Sequence, residues 1–166
     1  MIAIKLFQVF VIFFLIKSMF SKDISTLSNY EDIPINYIHG DFKPDFDKEI
    51  VYGDLNYNLQ ATKDGKQIIL DTMKLNITQV YNLVDPKEEI YEPIPFSFGE
   101  EDAKLGTPLI IELSYKKEDY ILIRIEFETT KEGGSAQFLS KEQTFGKQHP
   151  YFFTQSALIL GRSLFP

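Results

Sequence analysis

In a chain without cysteine, side-chain chemistry falls first to histidine and the carboxylates. The 166 residues hold two histidines, 24 acidic residues and no cysteine, so disulfides, thiolate metal sites and cysteine nucleophiles are excluded. His39 and His149 stand far apart, and no His-Glu-x-x-His motif puts two imidazoles on one helix face to hold zinc. His39 reads as a strand residue facing a neighbour, and His149 as a loop residue ahead of Pro150. The acidic groups Glu88-Glu89 and Glu100-Glu101-Asp102 read as solvated loop charge, not as a matched acid and base. No Gly-x-Ser-x-Gly elbow offers a serine nucleophile. Gly133-Gly134 reads as a turn and not as a phosphate cradle. These residues nominate no catalytic group and no metal ligand, and the chain is expected not to be an enzyme on its own.

The elements behind these residues follow from composition and period. Length points to one domain, and 44% hydrophobic residues are too many for disorder. A net charge of −7 repels phosphates, so nucleic acid is not an expected partner. Met1 to Phe20 reads MIAIKLFQVFVIFFLIKSMF: Lys5 opens it, and Leu6 to Ile16 is apolar except for Gln8. That is the basic start and short apolar run of a secretory signal, and it falls short of the ~20 uninterrupted apolar residues of a spanning helix. Residues 1–20 are therefore expected to be a signal peptide, with an uncleaved anchor as the alternative, and residues 21–166 a β domain. The expected location is secreted or in the endomembrane lumen. Asn76-Ile77-Thr78 is the one Asn-x-Ser/Thr sequon, and Asn76 is a glycosylation candidate if Leu75 and Ile77 point inward.

From Ile50 the chain alternates, with Val51, Leu55, Tyr57, Leu59 and Ala61 on one face and Asp54, Asn56, Asn58 and Gln60 on the other. This is the two-residue period of a half-buried strand. Lys63-Asp64-Gly65 then predicts a tight turn returning through Gln67 to Leu70 as the partner strand. Lys74 to Tyr81 predicts a strand with Leu75, Ile77 and Gln79 on one face. Leu109, Ile111, Leu113 and Tyr115 alternate, as do Ile121, Ile123, Ile125 and Phe127 beyond the polar link Lys116 to Asp119, which predicts a second hairpin. Tyr91 to Phe98 carries Pro93 and Pro95 and allows at most an edge strand. Lys131 to Ser135 reads as a mobile loop. No segment after the leader keeps a 3.6-residue period over three turns, so the expected class is all-β, a sandwich or a curved pair of antiparallel sheets.

The run QTFGKQHPYFFTQS, Gln143 to Ser156, resembles the M1 zinc metallopeptidase family, nearest to leukotriene A(4) hydrolase and aminopeptidase B-like proteins. There the pattern is Glu-Gln-Thr-x-Gly-Lys-x-His-Pro-Tyr-x-Phe-Ser-Gln, followed by an apolar stretch with an arginine and ending Leu-Pro. Here that stretch is Ala157 to Pro166, with Arg162 and Phe165-Pro166. The resemblance runs back through Ile125 to Thr129, Leu105 to Leu109, Ile69 to Thr72 and Ser25 to Asn29. It implies the amino-terminal β domain of that family, a saddle-like array of antiparallel sheets that caps a zinc catalytic domain.

By the same resemblance, Gln155 matches a glutamine facing the deep end of the family's substrate pocket. The family's next Gln-Ala pair falls at Ala157-Leu158, so an amide that lines the peptide site there is a methyl group here. Tyr151 and Phe152 are expected to be core aromatics. The implied cofactor is none in this chain, with zinc only where a catalytic domain follows. The implied partner is such a domain, or another protein, docking on the apolar segment Ala157 to Leu160 with Leu164 and Phe165. Peptide is a substrate only in the full-length context. The reading is a non-catalytic binding or scaffold module. The alternatives are the front part of a full aminopeptidase and a secreted ligand-binding β protein.

Overall fold

Period-2 segments dominate the fold, as the alternation requires. The computed structural model describes residues 23–166, and the signal-peptide reading of residues 1–20 lies outside them. The strands are β1 (Ile35–Asp45), β2 (Ile50–Gln60), β3 (Ile68–Thr72), β4 (Leu75–Asp85), β5 (Ile90–Pro93), β6 (Phe96–Phe98), β7 (Thr107–Ile111), β8 (Tyr120–Thr129), β9 (Ala136–Leu139) and β10 (Tyr151–Thr154). They form a five-stranded sheet in the order β1-β2-β8-β4-β5, a three-stranded sheet β3-β7-β6 and the hairpin β9-β10, every pair antiparallel. Two single 3-10 turns, Lys141–Gln143 and Leu160–Ser163, are the helical pieces among the described residues. None is long and apolar enough to cross a membrane.

The two larger sheets enclose one core. Leu55, Tyr57 and Leu59 of β2 and Ile121, Ile123, Ile125 and Phe127 of β8 meet Ile68 and Leu70 of β3 and Leu109 and Ile111 of β7. Their alternate neighbours face outward, half-buried. The all-β class and the alternating faces of β2 and β8 are as the sequence predicts.

Both predicted hairpins are replaced by corners. β2 pairs with β8, not with β3, and β7 pairs with β3 and β6, not with β8. The links 61–67 and 112–119 instead cross side by side from one sheet to the other. Gly65 bridges Tyr115, Ala61 N–H donates to Asp119 O (3.0 Å), and Glu118 N–H donates to Ala61 O (2.8 Å). A Cβ on Gly65 would lie 2.2 Å from the Tyr115 ring, so glycine is needed for ring–backbone contact, not for a hairpin turn. Two polar links that satisfy each other's backbone groups can span a sheet-to-sheet gap as well as a turn can.

Asp64 fastens this corner. Its carboxylate accepts the Lys117 N–H (2.9 Å) and the Lys116 ammonium (2.9 Å). These bonds, the backbone one first, hold its pKa below the usual 3.8. A depressed carboxylate stabilises the fold above its unfolded-state pKa and loses that contribution as pH falls through the folded value. Asp64 is expected to titrate below 3.8 by carboxyl NMR in the folded chain and to return towards 3.8 in Lys116→Met. An unchanged value in that variant would remove the lysine from the account.

Two further expectations are corrected and one element is added. In β4 the register against β8 shifts between Ile77 and Gln79, a bulge at Thr78, so the inward face passes from Ile77 to Val80 and not to Gln79. The Lys131–Ser135 loop is held: Gly133 and Ser135 are buried, Ser135 N–H donates to Ser163 Oγ (3.2 Å), and Ser135 Oγ donates to Leu160 O (2.5 Å). β1 is an additional strand, and Tyr91–Phe98 divides into β5 and β6, which occupy sheet edges as its prolines require.

Candidate functional site

The Gln143–Ser156 motif supplies most of a closed loop between β9 and β10, then β10 itself and the two residues after it. Ser140 N–H donates to Gln143 Oε1 (2.9 Å), and Gln143 N–H donates back to Ser140 O (3.0 Å). The Thr144 hydroxyl lies 2.8 Å from the carbonyl oxygens of both Lys141 and His149, pinning the two ends of the loop. Gly146 takes φ +78°, and Lys147 follows at +52°, which reverses the chain. Pro150 then immediately precedes β10. The glutamine, threonine, glycine and proline of the motif thus make shape, and His149 is exposed with its backbone carbonyl engaged.

This loop borders a groove of about 660 Å³ lined by Leu139, Thr144, Phe145, Gln148, His149 and Tyr151. Phe145 projects fully into solvent. Tyr151 is exposed and stacked on Phe153 with centroids 6.1 Å apart, so it is a surface aromatic and not the core residue expected. Phe152 is half-buried on the opposite face, against Phe138 (5.0 Å), which in turn meets Phe46 edge-on (5.6 Å). Strand alternation forces this split.

Gln155 follows β10. Its N–H donates to Ser135 O (2.9 Å) and its side chain is exposed. Ala157 and Leu158 are exposed beside it, Leu158 at φ +57°. Ile159, Leu160, Leu164 and Phe165 are half-buried, so the free apolar part of the terminal segment narrows to Ala157-Leu158. The segment is anchored by Arg162, whose guanidinium donates to Leu105 O (2.7 Å) and Ser25 O (2.8 Å) and pairs with Asp71 (3.3 Å). The Tyr57 hydroxyl donates to Pro166 O, and burial pushes that phenol well above its usual pKa. Neither anchor was singled out for a role from the sequence, because each joins residues remote in the chain.

A second feature missed from sequence lies on the outer face of the five-stranded sheet. Arg124 bonds Asp54 (2.9 Å) and Glu126 (3.0 Å) and lies over the rings of Tyr91 (5.5 Å) and Tyr81 (5.9 Å). Beside it a groove of about 490 Å³ is lined by Asp41, Lys43, Asp54, Glu126 and Glu128. The guanidinium is held between two carboxylates through Nε and Nη2, so this is a tied cluster and not an anion site. Asn76, on the same face, is exposed and donates to Glu128 Oε2 (3.2 Å). His39 is exposed on β1, 4.0 Å from Asp41. The structure does not bring His39, His149, Gln155 and Asn76 together. Among the described residues no three His, Asp or Glu gather in a way that could hold a metal ion. The arrangement offers stacking, hydrogen bonding and apolar contact, which is the chemistry of binding.

A family model described as the Peptidase M1 N-terminal domain matches residues 28–166. The chain is 37% identical over 145 residues to leucine aminopeptidase 2 of Candida glabrata, covering 87% of this chain and 21% of that protein. It is 35% identical over 149 residues to leucine aminopeptidase 2 of Aspergillus fumigatus, covering 87% and 23%. Among solved structures, native leukotriene A4 hydrolase from Saccharomyces cerevisiae superposes with a TM-score of 0.77 at 29% identity, over 88% of this chain and 22% of that one. The chain thus spans about a fifth of the length of the curated relatives it matches.

Proposed function

Since the chain belongs to the peptidase M1 family, whose N-terminal domain its sequence and fold both match, we propose that it acts as the non-catalytic β module of a leukotriene A(4) hydrolase-like zinc aminopeptidase. The observation that carries this reading is the match over residues 28–166 to a domain that makes up about a fifth of the aminopeptidases it resembles. The zinc motif His-Glu-x-x-His does not occur in the 166 residues, so zinc chemistry belongs to a catalytic domain. This module would contribute a rigid wall to that domain. The exposed run Gln155, Ala157 and Leu158, next to the aromatic surface of Tyr151 and Phe153, is the face we assign to it. Gln155 would meet the substrate end of the cleft. Ala157 presents a methyl group, which neither donates nor accepts a hydrogen bond, so peptide-terminus recognition would be weaker than in relatives carrying an amide there.

The fraction of the relatives covered also favours a second reading, that these residues are the front of one longer aminopeptidase polypeptide. The module's role is the same in both readings, and only the covalent connection differs. We place the protein in the secretory route, a reading supported by the basic and apolar order of residues 1–20 and by the exposure of Asn76 in its sequon.

The test joins this chain with the remainder of Candida glabrata leucine aminopeptidase 2, stripped of its matched stretch, and follows zinc content and cleavage of a leucine reporter. This chain alone is expected to hold no stoichiometric zinc after dialysis and to cleave nothing, while the mixture gains zinc-dependent cleavage over the stripped relative. One-to-one zinc on this chain alone would sink the reading, and so would a mixture no more active than the stripped relative.

A further inference from the structure

The five-stranded sheet ends at β1, and among the described residues no strand lies on its outer side. A strand edge presents unpaired N–H and C=O groups that another strand can complete. β1 is eleven residues long, and Tyr37, Ile38 and Phe42 on it are 61%, 39% and 42% exposed. Its register against β2 is irregular between Ile35 and Tyr37 and continuous from Tyr37 onward. At the other end, Pro44 has no N–H to give. The pairable window is therefore Tyr37 to Lys43, seven residues or about 23 Å, and its midpoint is Gly40.

We propose that this edge is an interface between two copies of the chain, with β1 pairing antiparallel to β1 of the second copy about a two-fold axis through Gly40. In that register each His39 faces Asp41 of the second copy, each Tyr37 faces its Lys43, and each Ile38 faces its Phe42. The first pair joins a ring N–H or imidazolium to a carboxylate, the second sets an ammonium by an aromatic ring, and the third joins two half-exposed apolar side chains on the inner face. Every occurrence comes twice because the interface is isologous. At the axis, the inner face of Gly40 is filled by the chain's own side chains: a Cβ there would lie 2.1 Å from Leu55 Cδ2 and 3.1 Å from Phe42 Cε2. No like charges oppose each other across the window, which argues for a second copy and not an unrelated strand. The product is one continuous ten-stranded sheet. A seven-residue edge lies at the small end of interface sizes, so the association is expected to be reversible and dependent on concentration.

Sedimentation equilibrium of the chain across the micromolar range is the test. A monomer–dimer equilibrium is expected, weakened at least about tenfold by His39→Asp, which sets Asp against Asp41. The swap H39D/D41H is expected to restore it, because residue 39 again faces an opposite partner at 41. Both positions are well exposed (side chains 61% and 84%), so the fold survives both changes. A chain that stays monomeric at every concentration overturns the proposal. So does a dimer indifferent to His39→Asp, or one that the swap fails to restore.

Discussion

Phe127→Ala is expected to cost about 3–5 kcal/mol of stability, which for a chain of this size lowers the melting temperature by on the order of 10 °C. The ring is 2% exposed in the centre of the two-sheet core and meets Phe42 edge-on at 6.3 Å. It also lies flat against β2 at Gly53, where a Cβ would sit 2.1 Å from Phe127 Cζ. The ring and the missing side chain are thus two halves of one fit, and this gives a sharper test than the single truncation. Gly53→Ala alone is expected to cost about 1–3 kcal/mol by overpacking. In a Phe127→Leu background, where the methyl has room, the same change should cost at least ~1 kcal/mol less. Denaturant unfolding of the four proteins measures the coupling, and strictly additive costs would remove the fit as the reason for glycine at 53.

Arg162→Met is the second large effect, expected at about 3 kcal/mol. Arg162 is 10% and Asp71 16% exposed, so the change leaves a nearly buried carboxylate without its cation. It also frees the Leu105 and Ser25 carbonyls that the guanidinium holds. Asp71 keeps the Thr26 hydroxyl (2.5 Å) and the Leu27 N–H (2.8 Å), which sets the cost at the low end of the buried-pair range. Four remote segments are tied at this point: the Leu160–Ser163 turn, the 102–106 loop, the start of the domain and β3. Amide exchange should therefore speed up in Ser25–Asn29 as well as around Arg162. In the double variant with Asp71→Asn the costs should sum to less than the singles, because the orphaned charge is gone. A change within ~0.5 kcal/mol of the parent, the range of ordinary surface substitutions, would show the clamp to be ornamental.

The long strands β2 and β8 were legible in the sequence to within a residue or two, whereas β4 runs four residues beyond the expected Tyr81 and β7 stops four short of Tyr115. β2 and β8 bury every second side chain, and a period of two is a local property that any single strand displays. β1 was not, because as an edge strand it leaves Tyr37, Ile38 and Phe42 substantially exposed, and its sequence INYIHGDFKPD need not alternate. The bulge at Thr78 was hidden for a related reason, since one unpaired residue shifts the inward face from Gln79 to Val80 without leaving a turn signal. The Gln143–Ser156 run was recognisable as a pattern, yet what its residues do became visible only in space. Thr144, Gly146 and Pro150 close and reverse a loop, while Tyr151 is surface and Phe152 is half-buried.

By itself, then, the sequence determined the all-β class, the buried face of the long strands, the family resemblance and the lack of a zinc motif, all properties written in local composition and order. The tertiary structure alone decided which strands pair. Lys63-Asp64-Gly65 and Lys116–Asp119 have the composition of hairpin turns, and locally nothing separates a turn that folds a strand onto its neighbour from one that carries it to a second sheet. The choice falls to the core. Ile68 and Leu70 on β3, and Leu109 and Ile111 on β7, need an apolar face to cover, and that face is the inner side of β2 and β8. Had each strand paired with its predecessor, those side chains would have lain in the same layer as the surface they now bury. The same non-local demand positions Arg162 on Asp71 and leaves Gln155 exposed after β10.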